Sequence, residues 1–504
     1  METYDILAFR RQFLLTSGST DELPGWPVRS MPGGHTLYSH PELGVTVHED
    51  AKTGVTLLLL GFAIDRDRPK ATDADLLATL AASRKDGKWW PAFSDLSGRF
   101  VLFVFDGDEI EVMHDPCGLR TAEYTFVDGF HVASQSNLLA LVAPVGRGKR
   151  YREYIGSHYG INVREDHLTA DTTLFDGVDR LVPNHVLKAA ERVHERYWPV
   201  EPLTIGGTPT AEVAAESFEM LRAQIAAAKE RFKLALPVTA GQDSRSLLAA
   251  ASAQLDGIWT YTMLYRWLGD GSPDLTIPAS LLGRLEHEHH IFDAKTPPPA
   301  EFVERYKANS PMAHPNDATI AYGLTRAFPS EFVGVKGNIA ELVRCYYNID
   351  GLPLDIRSVT DITRIIPHWD TVPFIMESMQ HWFDATLPVS RELGWDMDLL
   401  FHWEHQLGTW QAQSQLEWDI AQEAFTPYND RRLLVRMLAA APADRIPPAH
   451  ELFRTMISHG EGDLLREPIN PVLKAERARH FFWRARTRAM RDARKILTPS
   501  YSRR

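Results

Sequence analysis

Residues 236–245 read Leu-Pro-Val-Thr-Ala-Gly-Gln-Asp-Ser-Arg, and this stretch sets the fold class of the second half of the chain. An apolar strand ends in Thr-Ala-Gly, and a helix begins directly at Asp243 and Ser244. Small residues let the backbone approach a polyanion, and a helix N-terminus attracts phosphate. Asp243 stands where a nucleotide-bound Mg²⁺ needs a hard oxygen ligand. An ordinary strand–loop–helix turn capped by Asp243 and Ser244 explains the same residues equally well.

Strand and helix patterns alternate after this stretch. The strands are predicted at residues 232–239, 257–263, 290–292 and 332–336, and the helices at residues 244–255 and 273–284. This alternation predicts parallel crossovers in an α/β sheet, whose ligands bind at the carboxyl ends of the strands. We therefore expect the chemistry near Thr239, Met263 and Lys336.

From about residue 361 onward the pattern is almost wholly helical. This region is rich in tryptophan, with Trp369, Trp382, Trp403, Trp410 and Trp418. We interpret these side chains as core or inter-helix packing rather than as a ligand cage, because large aromatic residues are mostly buried in that way.

The first part of the chain has short, strand-like apolar runs. Turn signals such as Gly107-Asp108 separate these runs, as expected for hairpins. The strands are predicted at residues 54–63, 99–105, 109–114 and 130–133, and the helices at residues 73–83 and 136–142. This part of the sequence therefore predicts antiparallel sheets with a few helices.

Length and composition favour two domains. The 504 residues, of which 44% are hydrophobic, supply apolar material for more than one core. Residues 205–210, Ile-Gly-Gly-Thr-Pro-Thr, form the predicted linker before a helix over residues 212–231. We predict an N-terminal domain over residues 1–204 and a second domain over residues 211–504.

The charge balance argues against nucleic acid and against an anionic membrane as partners. The 54 basic and 66 acidic residues give a formal charge of −12. Residues 475–504 carry ten Lys or Arg and two acidic residues, so this tail is +8 and the remainder of the chain is −20. The basic tail fits either a partner protein, leader peptide or acidic substrate, or a solvated amphipathic helix.

Cysteine usage and the N-terminal sequence predict a soluble, cytoplasmic protein. Cys117 and Cys345 are too few for a disulfide framework. The first residues, METYDILAFRRQF, lack the features of a signal peptide. No apolar run approaches the roughly 18–20 residues that a membrane span needs.

Two motifs resemble those of a known enzyme family. Thr239-Ala-Gly-Gln-Asp-Ser244 resembles the Ser-Gly-Gly-x-Asp-Ser pyrophosphate loop of asparagine synthetases and N-type ATP-pyrophosphatases. Gly337-Asn-Ile-Ala-Glu341 resembles the Gly-Asp/Glu-Gly-Ser/Ala-Asp segment that closes the same site in asparagine synthetases. The resemblance implies ATP and Mg²⁺ as cofactors. The nucleotide-binding residues that it implies are Thr239, Ala240, Gly241, Gln242, Asp243, Ser244, Met263, Gly337 and Asn338.

The resemblance also implies Asp243 and Glu341 as the metal ligands. Glu341 and Arg344, three residues apart on a helix, fit a simple surface ion pair as well. We favour the metal-ligand interpretation of Glu341. The α/β order places the second loop, residues 337–341, beside the first loop, residues 239–244.

The resemblance covers most of the chain. The similar segments are residues 96–106, 114–120, 130–141, 173–185, 426–432 and 466–471. It implies an N-terminal αββα domain of antiparallel sheets, like that of Ntn hydrolases. It also implies a C-terminal parallel-sheet ATP-pyrophosphatase domain of the adenine nucleotide α-hydrolase type, with a helical C-terminal region.

The nucleophile of the family's glutaminase domain is missing. Such domains use a cysteine at the mature N-terminus, whereas position 2 is Glu2 and Cys117 lies in an expected structural turn. β-Lactam synthetases and lasso-peptide cyclases, in the same superfamily, also lack this cysteine. The second loop of β-lactam synthetases carries a tyrosine where Asn338 stands, so that group is disfavoured. We expect that glutamine is not hydrolysed.

The resulting hypothesis is an ATP-dependent amide-forming ligase. A small-molecule or peptide carboxylate would be activated as an acyl adenylate and transferred to an amine, within one molecule or between two. The family uses a C-terminal lysine as the catalytic cation, for which Lys474 and Lys336 are candidates beside the alternative of solvated surface lysines. An ammonia-dependent synthetase and a non-catalytic nucleotide-binding homologue are the alternative functions.

Two further features have competing interpretations. Glu286-His-Glu-His-His290 resembles a metal-binding cluster, but alternating sides of a strand would scatter the ligands, so we do not expect metal there. Asp270 and Asp274 precede or open a predicted helix, and we expect them to cap it.

Overall fold

The computed structural model describes residues 6–162, 171–265, 268–269, 271–314, 317–344, 347, 353–366 and 368–471. Over these residues the protein is an α/β fold in which two antiparallel sheets are followed by one parallel sheet. This is the fold class that the sequence predicts. None of the described helices is both long enough and apolar enough to cross a membrane.

Two six-stranded antiparallel sheets form the N-terminal half. The strands of the first sheet are β1 (Phe13–Thr16), β2 (Val28–Met31), β3 (His35–Ser39), β8 (Glu123–Thr125), β9 (His131–Ala133) and β12 (Asp179–Arg180). The strands of the second sheet are β4 (Val45–Glu49), β5 (Thr56–Ile64), β6 (Ser97–Asp106), β7 (Glu109–His114), β13 (His185–Lys188) and β14 (Val193–Arg196). A separate pair contains β10 (Gly146–Arg147) and β11 (Phe175–Asp176).

Both faces of the second sheet are buried. Leu58 and Leu60 of β5 pack with Phe13 between the two sheets, whereas Leu57 and Leu59 belong to the core on the helical side. This burial explains why β5 is a continuous apolar run rather than an alternating one. The helices of this half are α1 (Asp73–Lys85), α2 (Trp89–Ser94), α3 (Ser136–Leu139), α4 (Lys149–Gly156) and α5 (His158–Asn162).

The second half is organised around a five-stranded parallel sheet. Its strands are β15 (Lys233–Pro237), β16 (Trp259–Leu264), β17 (His290–Asp293), β18 (Phe332–Val335) and β19 (Glu423–Phe425), in the order β17-β16-β15-β18-β19. Strand β19 interrupts the otherwise helical pattern that is predicted after residue 361. A three-residue strand carries no periodic signal of its own, and β19 exists because it pairs with β18.

Helices surround this sheet. They are α6 (Thr210–Lys229), α7 (Gln242–Ala251), α8 (Pro273–Arg284), α9 (Ala300–Asn309), α10 (Asp317–Ala327), α11 (Val359–Thr363), α12 (Pro373–Leu393), α13 (Met397–Phe401), α14 (Ala412–Trp418), α15 (Arg431–Leu438), α16 (Pro442–Arg445) and α17 (Glu451–Ser458). A π-helix over His402–Gln411 joins α13 to α14. Trp369, Trp382 and Trp403 are buried among the helices, as the packing interpretation expects.

Buried ion pairs join the two halves beside β19. Arg99 of β6 donates from Nη2 to Asp419 Oδ2 at 2.8 Å, and Arg120 donates from Nη2 to Glu423 Oε2 at 2.7 Å. Asn429 donates to Asp115 Oδ1 at 2.7 Å nearby. These contacts fix the edge of the parallel sheet against the antiparallel half.

Candidate active site

The loop between β15 and α7 is held in shape by its own hydroxyl groups. The Thr239 and Ser244 hydroxyl oxygens lie 2.8 Å apart, and the Gly241 N–H donates to Thr239 Oγ1 at 3.1 Å. Gly241 is the N-cap of α7, so the first turn of this ten-residue helix opens directly from the loop. The N–H groups of a first helical turn have no intrahelical acceptors, which makes this end of α7 suited to phosphate.

Three other elements fix Ala240 at the centre of this loop. Its N–H donates to Asp274 Oδ1 at 2.9 Å, and its carbonyl oxygen accepts from the Asn470 N–H at 3.0 Å. The buried Arg245 guanidinium donates to the Ala240 carbonyl at 3.3 Å and to the Glu467 carbonyl at 2.6 Å. The loop is therefore fastened to the segment that ends the described part of the chain.

The expectation that Asp274 caps α8 is wrong, because Ser272 is the N-cap of that helix and its side chain accepts from the Asp274 N–H. The Asp274 carboxylate is thereby free to accept from the first loop. Asp270 lies outside the described residues. Sequence reasoning also missed the role of Arg245, although its position directly after Asp-Ser was visible.

The second loop, which follows β18, lies directly against the first. A Cβ atom on Gly337 would come 3.3 Å from Asp243 Cβ and 3.4 Å from the Ser244 nitrogen. The parallel sheet therefore brings both motifs to one edge. Ile339 in this loop has a φ of +81°, which is strained for a β-branched residue, and the strain lies where the resembling motif has glycine.

Two carboxylates belong to these loops, Asp243 to the first and Glu341 to the second, and the charge of Asp243 affects the titration of Glu341. Asp243 Oδ2 accepts from Arg344 Nη2 at 2.9 Å, whereas Asp243 Oδ1 is buried without a hydrogen-bond partner among the described residues. Burial raises the pKa of Asp243, against the opposing effect of Arg344. Burial, with the charge of Asp243 as a further cause, raises the pKa of Glu341 to about 7. The interpretation of Glu341 and Arg344 as a surface pair is wrong, because Arg344 pairs with Asp243.

This arrangement fits a divalent cation. Two nearby carboxylates disfavour each other's charged form, and a hard cation between them removes that penalty. The unpartnered Asp243 Oδ1 supplies an oxygen that such an ion would use. Asp243 and Glu341 are thus the residues that would hold Mg²⁺.

The other implied nucleotide-binding residues have varied surroundings. Asn338 Nδ2 donates to Gln411 Oε1 of the π-helix at 3.2 Å, which connects the second loop to that helix. The buried Gln242 opens α7, with its Nε2 lacking a partner among the described residues. Met263 lies on β16, where it packs with the cluster containing Tyr261.

Of the two candidate catalytic lysines, Lys336 lies among the described residues and Lys474 does not. Lys336 is buried, and its Nζ lies 3.9 Å from the centroid of the Trp418 ring. Burial, together with the charge of Arg99, holds its pKa well below the usual value. Lys336 therefore belongs to the junction with the N-terminal half. Lys474 and the basic tail over residues 475–504 lie outside the described residues.

Cys117 is fully buried in a turn, as the sequence interpretation expects. Its N–H donates to Asn429 Oδ1 at 2.9 Å, and burial raises the pKa of its thiol well above the usual value. A thiol in such surroundings is a poor nucleophile. Glu2 and Cys345 lie outside the described residues.

The histidine-rich segment before β17 does not form one metal cluster. His287 contacts the Ile258 carbonyl through Nε2 at 2.9 Å, whereas His289 Nε2 lies 2.7 Å from Thr262 Oγ1. His287 is thus held at the residue before β16, and His289 is held against β16 itself.

Comparisons with known proteins give weak likenesses. The chain matches no protein-family model and no curated protein. It is similar to the allosteric regulatory enzyme of purine biosynthesis, with 13% identity, a TM-score of 0.24, and coverage of 53% of this chain and 62% of that one. It is also similar to glutamine phosphoribosylpyrophosphate amidotransferase from B. subtilis, with 14% identity, a TM-score of 0.24, and coverage of 67% and 72%. The chain spans less than two thirds of the first enzyme, and likenesses of this size do not bear on activity.

Proposed function

We propose that the protein is an ATP-dependent ligase that activates a carboxylate as an acyl adenylate and transfers it to an amine. The observation that carries this proposal is that Asp243, in the first turn of α7, lies against Gly337 of the second loop, where its charge affects the titration of Glu341. A helix end with free N–H groups suits a polyphosphate, and the two carboxylates suit the Mg²⁺ that accompanies it.

The chemistry follows from the low reactivity of a free carboxylate. An oxygen of the substrate carboxylate attacks the α-phosphorus of ATP, the bond to the β-phosphate breaks, and pyrophosphate leaves. The amine nitrogen then attacks the acyl carbon, loses a proton, and AMP leaves with the carboxylate oxygen. Mg²⁺ held by Asp243 and Glu341 would offset the charge of the departing pyrophosphate.

An external amine fits this chain better than ammonia from glutamine. Cys117 is buried with a raised pKa, so the described N-terminal half offers no reactive thiol. An amine placed beside the acyl adenylate reacts with the advantage of proximity. The product would be a substituted or cyclic amide, made from small-molecule or peptide substrates.

ATP–pyrophosphate exchange tests the activation step. The parent protein, Asp243→Asn and Asp256→Asn are compared with Mg²⁺ and a panel of amino acids, organic acids and peptides. Asp256 is exposed, so its variant controls for the loss of one surface carboxylate. We expect acid-dependent exchange by the parent and the control, and its loss in Asp243→Asn. Equal exchange by all three would show that the site is elsewhere, and binding of ATP without exchange would favour a non-catalytic homologue.

A further inference from the structure

Arg344 has unused hydrogen-bond donors at the junction of the two loops. A guanidinium carries five N–H donors, and Arg344 uses Nη2 for Asp243 Oδ2 at 2.9 Å. Its Nε is buried and has no hydrogen-bond partner among the described residues. Arg344 thus combines a fixed positive charge with an unused, desolvated donor beside the first loop.

The other basic side chains near these loops, among the described residues, already contact protein groups. Arg245 is buried and donates to carbonyl oxygens of Ala240, Leu464, Glu467 and Pro468. The Lys336 side chain packs over Trp418. Arg445 donates to the Val343 carbonyl at 3.2 Å. An oxyanion entering between the loops therefore meets Arg344 as its charged donor.

The other groups near Arg344 do not replace this role. Glu341, Tyr428, His402 and His450 each lie close enough for the charge of Arg344 to affect their titration. The burial of His402 and His450 keeps both imidazoles neutral near pH 7, since their pKa values are lowered. Two carboxylates and two neutral imidazoles leave Arg344 as the positive group of this cluster.

The ion pair with Asp243 competes with a metal. A divalent cation bound to Asp243 would lie beside the guanidinium and be repelled by it. A phosphate oxygen relieves this repulsion, because it accepts from Arg344 and ligates the metal at once. The binding of metal at this site therefore strengthens the binding of polyphosphate, and the binding of polyphosphate strengthens that of metal.

We propose that Arg344 is the anion-binding residue of the site, and that it exchanges Asp243 for phosphate oxygens when Mg²⁺ and nucleotide enter together. This inference rests on the proposed function and deepens it. It makes the ion pair a device that keeps Mg²⁺ affinity low until polyphosphate arrives.

Calorimetric titrations of Arg344→Gln test the exchange with two probes, Mg²⁺ alone and pyrophosphate in the presence of Mg²⁺. Removing the guanidinium frees Asp243, so Mg²⁺ alone should bind more tightly than to the parent. Loss of the charge-assisted hydrogen bonds should weaken pyrophosphate binding roughly ten- to a hundredfold. Arg344→Lys keeps the charge and should recover part of the pyrophosphate affinity.

Two arginine controls separate this role from a structural one. Arg357→Gln removes an exposed arginine with a surface partner and should leave both affinities unchanged. Arg445→Gln removes a buried arginine that donates to the Val343 carbonyl, so it should weaken both affinities by disturbing the second loop. Among these variants, Arg344→Gln alone is expected to bind Mg²⁺ more tightly and pyrophosphate more weakly than the parent.

The inference fails if Arg344→Gln shows no gain in Mg²⁺ affinity, or if both affinities fall together as in Arg445→Gln. Thermal melting of each variant shows whether it is folded. If Arg344→Gln does not fold, Arg344→Met, which also removes the charge, takes its place in both titrations. The proposed function fails separately, if Asp243→Asn retains the pyrophosphate affinity and the exchange activity of the parent.

Discussion

Gly337 lies so close to Asp243 that a Cβ atom on the glycine would come 3.3 Å from the aspartate Cβ. The two loops can approach because the second presents no side chain at this point. A Gly337→Val substitution should therefore push Asp243 away from Glu341 and lower ATP–pyrophosphate exchange by an order of magnitude or more, as for a displaced catalytic group. Gly283→Val is the matched control, because a Cβ there meets open space. Equal exchange by both variants would show that the approach of the loops is not required.

Arg245 should matter for nucleotide affinity because it holds the first loop in place. Its bonds to the Ala240 and Glu467 carbonyls tie the first loop to the end of the described chain. Arg245→Lys keeps a charge but loses the fork of donors, so we expect weaker binding of ATP with a modest drop in Tm. Fluorescence titration with a nucleotide analogue measures the affinity. Unchanged binding with a lowered Tm would indicate a purely structural role.

The junction between the halves should dominate stability. Arg99 and Asp419 form a fully buried ion pair, and removing Arg99 leaves the buried Asp419 carboxylate with the longer contact to Arg120 Nη1 at 3.5 Å. Arg99→Met should destabilise the protein by about 3–5 kcal/mol. Urea unfolding compares this variant with Arg68→Met, whose ion pair with Asp65 is more exposed. Similar stabilities would contradict the importance of the buried pair.

The same junction predicts acid sensitivity. The Arg120 and Arg99 guanidinium groups outweigh the effect of burial and lower the pKa of Glu423 to about 2. A lowered carboxylate pKa contributes stability that is fully present above the unfolded value of about 4.3 and is lost as the pH falls towards 2. The stability difference between the parent and Glu423→Gln should therefore shrink as the pH falls from 6 towards 2. A difference that stays constant over this range would contradict the assignment.

The nucleophile is tested by product mass. With an acid that supports exchange, ATP and Mg²⁺, we compare ammonium, glutamine and a panel of amines as second substrates. We expect a substituted or cyclic amide and no release of glutamate from glutamine, because Cys117 is buried. Efficient formation of only the primary amide from ammonium would favour an ammonia-dependent synthetase. Glutamate release that Cys117→Ala abolishes would overturn the account of the N-terminal half.

Local sequence patterns were sufficient for most of the fold. The alternation of strands and helices after β15 and the glycine-containing turns of the first half carry local signals, and helix α8 (Pro273–Arg284) begins and ends where it was predicted. Strand β19 was missed because its three residues become a strand only by pairing with β18. The π-helix over His402–Gln411 likewise has no distinct periodic signature.

The site was predictable where its residues follow strands and not where they reach it through tertiary contacts. Asp243 and Gly337 both follow parallel strands, so their meeting could be expected from topology. The pairing of Arg344 with Asp243 joins residues 101 positions apart, whereas the spacing of the sequence offered only Glu341 as a partner for Arg344. Lys336 was a candidate because it lies beside the second loop, but its side chain packs over Trp418, a tertiary contact that its position in the sequence does not predict.

The most direct test of the central claim follows the carboxylate oxygen. An acid that supports exchange is labelled with ¹⁸O in its carboxylate and incubated with the protein, ATP, Mg²⁺ and an accepted amine, and the nucleotide product is analysed by mass spectrometry. Attack on the α-phosphorus predicts AMP that carries one ¹⁸O atom from the acid, with no such product from Asp243→Asn. Release of ADP and ¹⁸O-labelled phosphate, or unlabelled AMP alongside amide formation, would contradict the acyl-adenylate account.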